Sequence, residues 1–168
     1  MSKALEPMMK ELEREGATTR RVLERIPENK LGWKPHAKSM SLGQLALHIA
    51  TVPGAIANLA KNDVFDLSQA NFNQPAAANK AEIFAAFDSS VKSAADYLAG
   101  VSESSACGNW CAKFKEKELF TVTRAELLRS IMLNHWYHHR GQLSVYLRML
   151  DVDVPSIYGP SADENPFM

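Results

Sequence analysis

Four long segments of the chain repeat apolar residues every three or four positions, and this periodicity most limits the possible fold. Such spacing places apolar side chains along one face of an α-helix. The predicted helices span residues 5–26, 41–59, 79–98 and 123–150. Little of the chain shows the strict alternation of a strand. The pattern predicts an all-α fold, in which four amphipathic helices form a four-helix bundle.

Short signals mark where two of these helices begin. Ser41 with Gln44, and Thr123 with Glu126, have the spacing of a capping box, in which each side chain satisfies a free backbone amide. Pro53 is followed by glycine inside the second helix and predicts a kink or local irregularity there.

The segments between the helices differ in character. Residues 62–78 contain several Asn, Gln and Ser side chains and predict a loop. Residues 100–122 mix aromatic and polar positions, which predicts a short irregular or hairpin insertion before the last helix. Residues 151–168 carry three prolines and are expected to form a coil.

Composition is typical of one globular domain over residues 1–168, with 46% hydrophobic and 23% charged residues. The 19 basic and 19 acidic residues cancel, which gives no electrostatic case for nucleic-acid binding. Apolar runs stay short of the roughly 20 residues that cross a bilayer, and the first residues lack an apolar signal region. We therefore expect a cytoplasmic protein that binds neither nucleic acid nor membrane.

Cys107 and Cys111 are the only two cysteines of the chain. Their spacing is one residue longer than that of the usual redox or zinc pair, and a second pair is absent from the sequence. We expect two free thiols, and a disulfide or an auxiliary metal site is the alternative.

Three of the five histidines are predicted to lie on inward helix faces. His135 and His139 are four residues apart, so their rings stack on one face, whereas His138 lies roughly 100° around the helix. His48 lies on the buried side of the second helix and could complete a three-histidine set. Three neutral imidazoles with open positions suit a catalytic metal. The alternative is a group of hydrogen-bonded core histidines, although burying two titratable rings side by side is costly without a cation.

Three neighbours of these histidines are candidates for roles at the site. Gln142 could orient a ligand or lie at the surface. Gln44 could reach the same cavity, but its capping role already explains it. Arg140 is expected in a surface or interface ion pair rather than against an anionic substrate.

The sequence around the last histidines, residues 135–143 followed by 146–148, resembles the DinB-like (YfiT-like) metalloenzyme family. Residues 26–35, 41–49 and 154–161 are similar to other segments of that family, so the resemblance covers nearly the whole chain. It implies a four-helix bundle, commonly a homodimer. It also implies that His48, His135 and His139 bind a divalent metal ion, nickel or zinc.

The resemblance also indicates a chemistry, since characterised relatives include transferases that join a low-molecular-weight thiol to an electrophile, and a thiol-dependent isomerase. We therefore expect a metal-dependent transferase or hydrolase acting on a small-molecule substrate, with a low-molecular-weight thiol as an expected partner. In it the ion lowers the pKa of a bound thiol or water. A non-catalytic metal-binding or stress-response protein is the second hypothesis, and a helical interaction protein with merely buried histidines is the third. The sequence identifies no catalytic residue.

Overall fold

The computed structural model describes residues 2–168, and most of them are helical. The helices are α1 (Glu6–Glu24), α2 (Leu42–Leu59), α3 (Lys80–Gly100), the short α4 (Glu103–Ala106), α5 (Arg124–Leu127) and α6 (His135–Met149). A π-helical stretch (Leu128–Asn134) joins α5 to α6, so the three together form one long last helix. Short 3₁₀ turns occupy Glu28–Lys30 and Leu67–Gln69.

A small three-stranded sheet shows that the prediction of an all-α chain is wrong. Strands β1 (Val64–Asp66), β2 (Asn109–Phe114) and β3 (Lys117–Thr123) lie in the order β1-β2-β3. β2 and β3 form an antiparallel pair, which confirms the predicted hairpin before the last helix. β1 pairs with β2 in parallel and belongs to the segment predicted as a loop. Three residues are too few to show an alternating pattern, so the sequence offered no sign of β1.

The long helices pack against one another through their apolar faces. α2 contacts α3 and α6, and α1 contacts the same two helices. The core between them contains fully buried side chains from each helix, among them Leu12, Ile49, Leu98 and Trp136. The apolar spacing of the last helix also predicts Met149 on its inward face, but Met149 is exposed. The finer arrangement as a four-helix bundle stays a prediction.

α2 continues through Pro53 because other groups replace the hydrogen bonds that the proline disturbs. Proline has no N–H to donate to the carbonyl four residues earlier. That carbonyl, of Ile49, accepts a 2.9 Å hydrogen bond from the Trp136 indole of α6. The next amide, of Gly54, donates to the Ser90 hydroxyl of α3 at 2.8 Å. The predicted irregularity thus takes the form of two contacts between helices, one of them close to His48.

α2 is also the helix that, by its length and composition alone, could cross a membrane. In the structure 56% of its apolar window is buried inside the protein. A buried core helix passes the same test, so this pattern is weak evidence for a membrane span.

Arg124 attaches the sheet to the ends of the helices. Its buried guanidinium donates to the carbonyls of Ala60 at 2.9 Å and Asn109 at 3.2 Å, and it pairs with the Asp63 carboxylate. These partners belong to the end of α2, the start of β2 and the residue before β1. One side chain therefore holds the sheet at the end of α2.

The C-terminal coil is attached to the helices by a buried ion pair. Arg140 of α6 is 1% exposed and lies 2.7 Å from a carboxylate oxygen of Glu15 in α1. The Tyr158 hydroxyl of the coil accepts from Arg140 and donates to Glu15. The expected ion pair of Arg140 is present, but it lies in the interior of the chain rather than at the surface, and it joins three segments.

Candidate metal centre

His48, His135 and His139 meet with their Nε2 atoms turned toward a common point. The Nε2 atom of His135 lies 3.0 Å from that of His48 and 3.0 Å from that of His139. One ring nitrogen from each of the three lies within 4.8 Å of the other two. The structure thus brings together all three histidines that the sequence predicted as metal ligands.

Two glutamines determine which nitrogen of two histidines faces the cluster. The Gln74 side-chain oxygen lies 3.1 Å from Nδ1 of His48, and that of Gln142 lies 2.7 Å from Nδ1 of His139. An amide oxygen only accepts, so both Nδ1 atoms carry the proton. Both Nε2 atoms therefore direct a lone pair into the cluster, which is the tautomer that a metal ligand requires.

The nitrogen separations and tautomers fit a shared cation. His135 can donate from Nε2 to only one of the two neighbouring lone pairs, so without a cation at least one 3.0 Å pair would lack a hydrogen between its nitrogens. At about 2.0–2.1 Å from one ion, two imidazole nitrogens lie roughly 3.4 Å apart at the tetrahedral angle of zinc and roughly 3 Å apart at the right angle of an octahedral ion, so the observed separations lie in the range of a compact three-nitrogen set. The three residues could therefore hold a divalent metal ion.

Burial keeps the histidines neutral over a wide pH range. The pKa of His139, which is 9% exposed, falls to about 4, mainly through desolvation and partly through the neighbouring histidines. Desolvation also lowers the pKa of His48 and His135, with a further contribution from a neighbouring histidine in each case. Near neutral pH all three rings therefore keep a lone pair for a cation.

Gln74 is the residue at this site that sequence reasoning missed. It lies in the irregular segment 70–77, where periodicity gives no information about which side chains point inward. Gln44 positions it, because its side-chain amide donates to the Gln74 carbonyl at 2.8 Å while its oxygen completes the predicted capping box of Ser41. The capping explanation of Gln44 is thus correct, and an indirect link to the site comes in addition.

Other candidate residues lie outside the cluster. His138 is exposed and does not belong to the group of ligand atoms, as its position on the helix predicts. Within residues 2–168 both cysteines are unpaired, Cys107 exposed and Cys111 half-buried, and neither belongs to the group. The expectation of two free thiols is therefore confirmed.

A family model matches almost the whole chain. The model of the DinB family matches residues 1–166. The chain belongs to the DinB family. Because the match includes both helices that carry the histidines, the cluster lies within the part of the chain that the family shares.

Solved structures and one curated relative are similar to this DinB-family chain. A DinB-like protein (YjoA) from Bacillus subtilis superimposes with a TM-score of 0.69 at 22% identity, over 90% of this chain and 97% of that one. A DinB-like protein from Bacillus cereus gives a TM-score of 0.66 at 19% identity, over 86% and 91%. At these identities the likeness shows the fold. The uncharacterized protein YrdA of Bacillus subtilis is 43% identical over 37 residues, which span only 22% of each chain.

Proposed function

We propose that the protein is a metal-dependent enzyme in which His48, His135 and His139 bind a divalent ion, nickel or zinc. The observation that carries this proposal is the convergence of three Nε2 lone pairs, two of them oriented by glutamines. Among residues 2–168 the grouped ligand atoms come from three side chains, whereas a structural zinc site ordinarily has four. The set therefore supports a site with room for a further ligand, inside a proposed four-helix bundle.

The reaction that we favour is thiol transfer to an electrophilic small molecule, with hydrolysis as the other form of the same proposal. When bound, a divalent ion acts as a Lewis acid that lowers the pKa of a thiol or water. The chain itself supplies uncharged ligands, because burial lowers the pKa of all three histidines. Membership of the DinB family supports the thiol form, by analogy alone.

The metal site is tested by comparing two adjacent histidines. Protein prepared without an affinity tag is loaded with zinc or nickel and dialysed, and its metal content is measured. His139→Ala should reduce the content from about one equivalent to less than about a tenth, because it removes one of three ligands. His138→Ala should leave the content unchanged, since that ring is exposed and outside the cluster. Equal behaviour of the two variants would contradict the site.

Activity requires a separate experiment. The metal-loaded protein is incubated with a panel of electrophiles and cellular thiols, and consumption of the electrophile is followed. We expect metal-dependent turnover that His48→Ala abolishes. Bound metal without any turnover of thiols or hydrolysable esters would favour the alternative, a non-catalytic metal-binding or stress-response protein.

We further propose that the protein works as a cytoplasmic homodimer. Val145 and Met149 are four residues apart on α6 and are 57% and 55% exposed, which supports a contact between helices of two copies. Sedimentation at several concentrations would contradict the dimer if the mass stayed that of one chain.

A further inference from the structure

An apolar cavity of about 250 Å³ lies between α2, the last helix and the sheet. Its walls consist of apolar side chains, among them Ile56, Leu59, Phe65, Phe72, Phe120 and Ile131. These residues come from four separate parts of the chain. The cavity is thus built by the tertiary fold rather than by one element.

The cavity begins about one helical turn from the histidine cluster. Ile131 lies in the π-helical stretch and precedes His135 by four residues, slightly less than one π-helical turn, so the two side chains lie near the same side of the last helix. Ile131 is 38% exposed although it lies on that side, so the chain itself does not cover it. Its position places an uncovered apolar wall next to one of the three histidines.

α2, like the last helix, carries a histidine of the cluster and, further along, apolar residues that line the cavity. Ile56 and Leu59 follow His48 by eight and eleven residues, or about two and three turns, and both line the cavity. His48 meets His135 while Ile56 and Ile131 share the cavity, so the two helices run in opposite directions beside each other. The apolar wall therefore follows the histidines along the interface of the two helices, with the buried Val52 between them on α2.

The irregular segment 70–77 contacts both the cluster and the cavity. Gln74 accepts the hydrogen bond from His48, and Phe72, two residues earlier, lines the cavity with 69% of its surface exposed. An exposed aromatic ring of this kind provides apolar area for a ligand. Segment 70–77 thus joins the cluster to a cavity whose walls also come from both helices that bear the histidines.

We propose that the cluster and the cavity form one substrate site, in which the cavity takes the hydrocarbon part of an amphiphilic small molecule and the three histidines lie at its polar reacting end. This inference rests on the proposed function. A volume of about 250 Å³ is below the roughly 300–1,000 Å³ of a pocket for a whole drug-sized ligand. It suits a short alkyl chain or one aromatic ring. A larger cavity of about 520 Å³ is lined by charged and polar side chains, including Lys61 and Asp96, and suits no such group.

The test measures how affinity depends on chain length. Zinc-loaded protein is titrated calorimetrically with straight-chain hydroxamates from acetohydroxamate to octanohydroxamate, whose head group binds zinc. The dissociation constant should fall about fourfold for each methylene that enters the cavity, and then level off. An affinity that does not change along the series would overturn the inference.

Matched variants locate the effect. Ile131→Asn should flatten the dependence on chain length, and Phe72→Ala should weaken it. Leu119→Asn is the control, because Leu119 has a similar exposure of 44% and is not among the residues that line the cavity. The same dependence in Ile131→Asn as in the wild type would also overturn the inference.

Zinc content, measured in the same samples, separates this inference from the proposed function. Retained zinc with a flat dependence on chain length overturns the shared site alone. Loss of zinc from the wild-type protein overturns the proposed function, and this inference with it.

Discussion

Gln74 and Gln142 orient two histidines of the candidate metal centre without themselves contacting the point where the three Nε2 atoms meet. Each accepts the Nδ1 proton of one histidine and so directs the opposite nitrogen inward. Such partners typically change metal affinity about 10–100-fold when they are removed. We expect Gln74→Leu and Gln142→Leu each to weaken zinc binding by about that factor, measured by competition with a chromophoric chelator. Gln69→Leu, an exposed change in the same region as Gln74, should have no effect. An unchanged affinity in both test variants would show that the glutamines do not orient the rings.

The lowered pKa of His139 makes the metal-free protein sensitive to acid. An unfolded chain protonates this ring below about pH 6.5, whereas the folded chain does so only near pH 4. Between these values the unfolded state binds more protons, so the free energy of unfolding decreases as the pH falls. The slope is at most about 1.4 kcal/mol per pH unit for one group. Urea unfolding at a series of pH values should show this slope, and His139→Gln should reduce it. An equal slope in the variant would assign the acid sensitivity to other groups.

The spacing of residues in the sequence was sufficient to predict the three histidine ligands, but not both of the glutamines that bond to them. His135 and His139 share a helix face by their separation alone, and His48 lies on the inward side of α2. Gln142, three residues after His139, could be considered for the same reason. Gln74 could not, because the path of an irregular segment depends on contacts with distant elements, here with Gln44.

At the scale of elements, the Trp136 indole and the Ile49 carbonyl connect α6 to α2 at the level of the histidines. Trp136→Phe should leave this buried carbonyl without a donor and lower the free energy of unfolding by about 1–3 kcal/mol for that loss alone. Chemical denaturation measures the change.

A second substitution tests the cause. Pro53→Ala restores an amide that can donate to the Ile49 carbonyl within α2. In the Trp136→Phe background it should therefore recover part of the loss, more than it gains in the wild type. Additive effects of the two substitutions would indicate that the loss comes from packing and not from the carbonyl.

The starts of the capped helices were the most predictable feature at this scale. The capping boxes at Ser41 and Thr123 are present as the sequence indicated, and they mark the starts of α2 and α5. The π-helical stretch Leu128–Asn134 was not predicted, because its apolar spacing also fits an α-helix. It directly precedes His135, and such stretches frequently occur at functional sites.

For the whole molecule, the Arg140–Glu15 ion pair joins α6 to α1 and to the C-terminal coil. Arg140→Leu would leave the Glu15 carboxylate buried beside Tyr158 without its partner charge, which typically costs about 3–5 kcal/mol. We expect a loss of stability of that size by urea unfolding. The double variant Glu15→Leu with Arg140→Leu should be less destabilised than Arg140→Leu alone. A double variant that is equally unstable would show that packing, rather than the unpaired charge, dominates.

The overall helical character followed from periodicity, whereas the addition of β1 to the hairpin and the buried ion pair did not. Arginine is a residue type usually found at the surface. Arg140 is enclosed only because residues 151–168 pass over α1 and α6. The pairing of β1 with β2 likewise depends on where Arg124 and its partners place the end of α2. Neither the enclosure nor the pairing has a local pattern in the chain.

His48 and His135 are separated by 87 positions along the chain. During translation the three nitrogens can therefore meet only after the segment that contains His139 has emerged from the ribosome. Until then a nascent chain offers an ion one imidazole from α2. A complete set of three imidazoles for the proposed ion therefore exists only after the last helix has packed against α2.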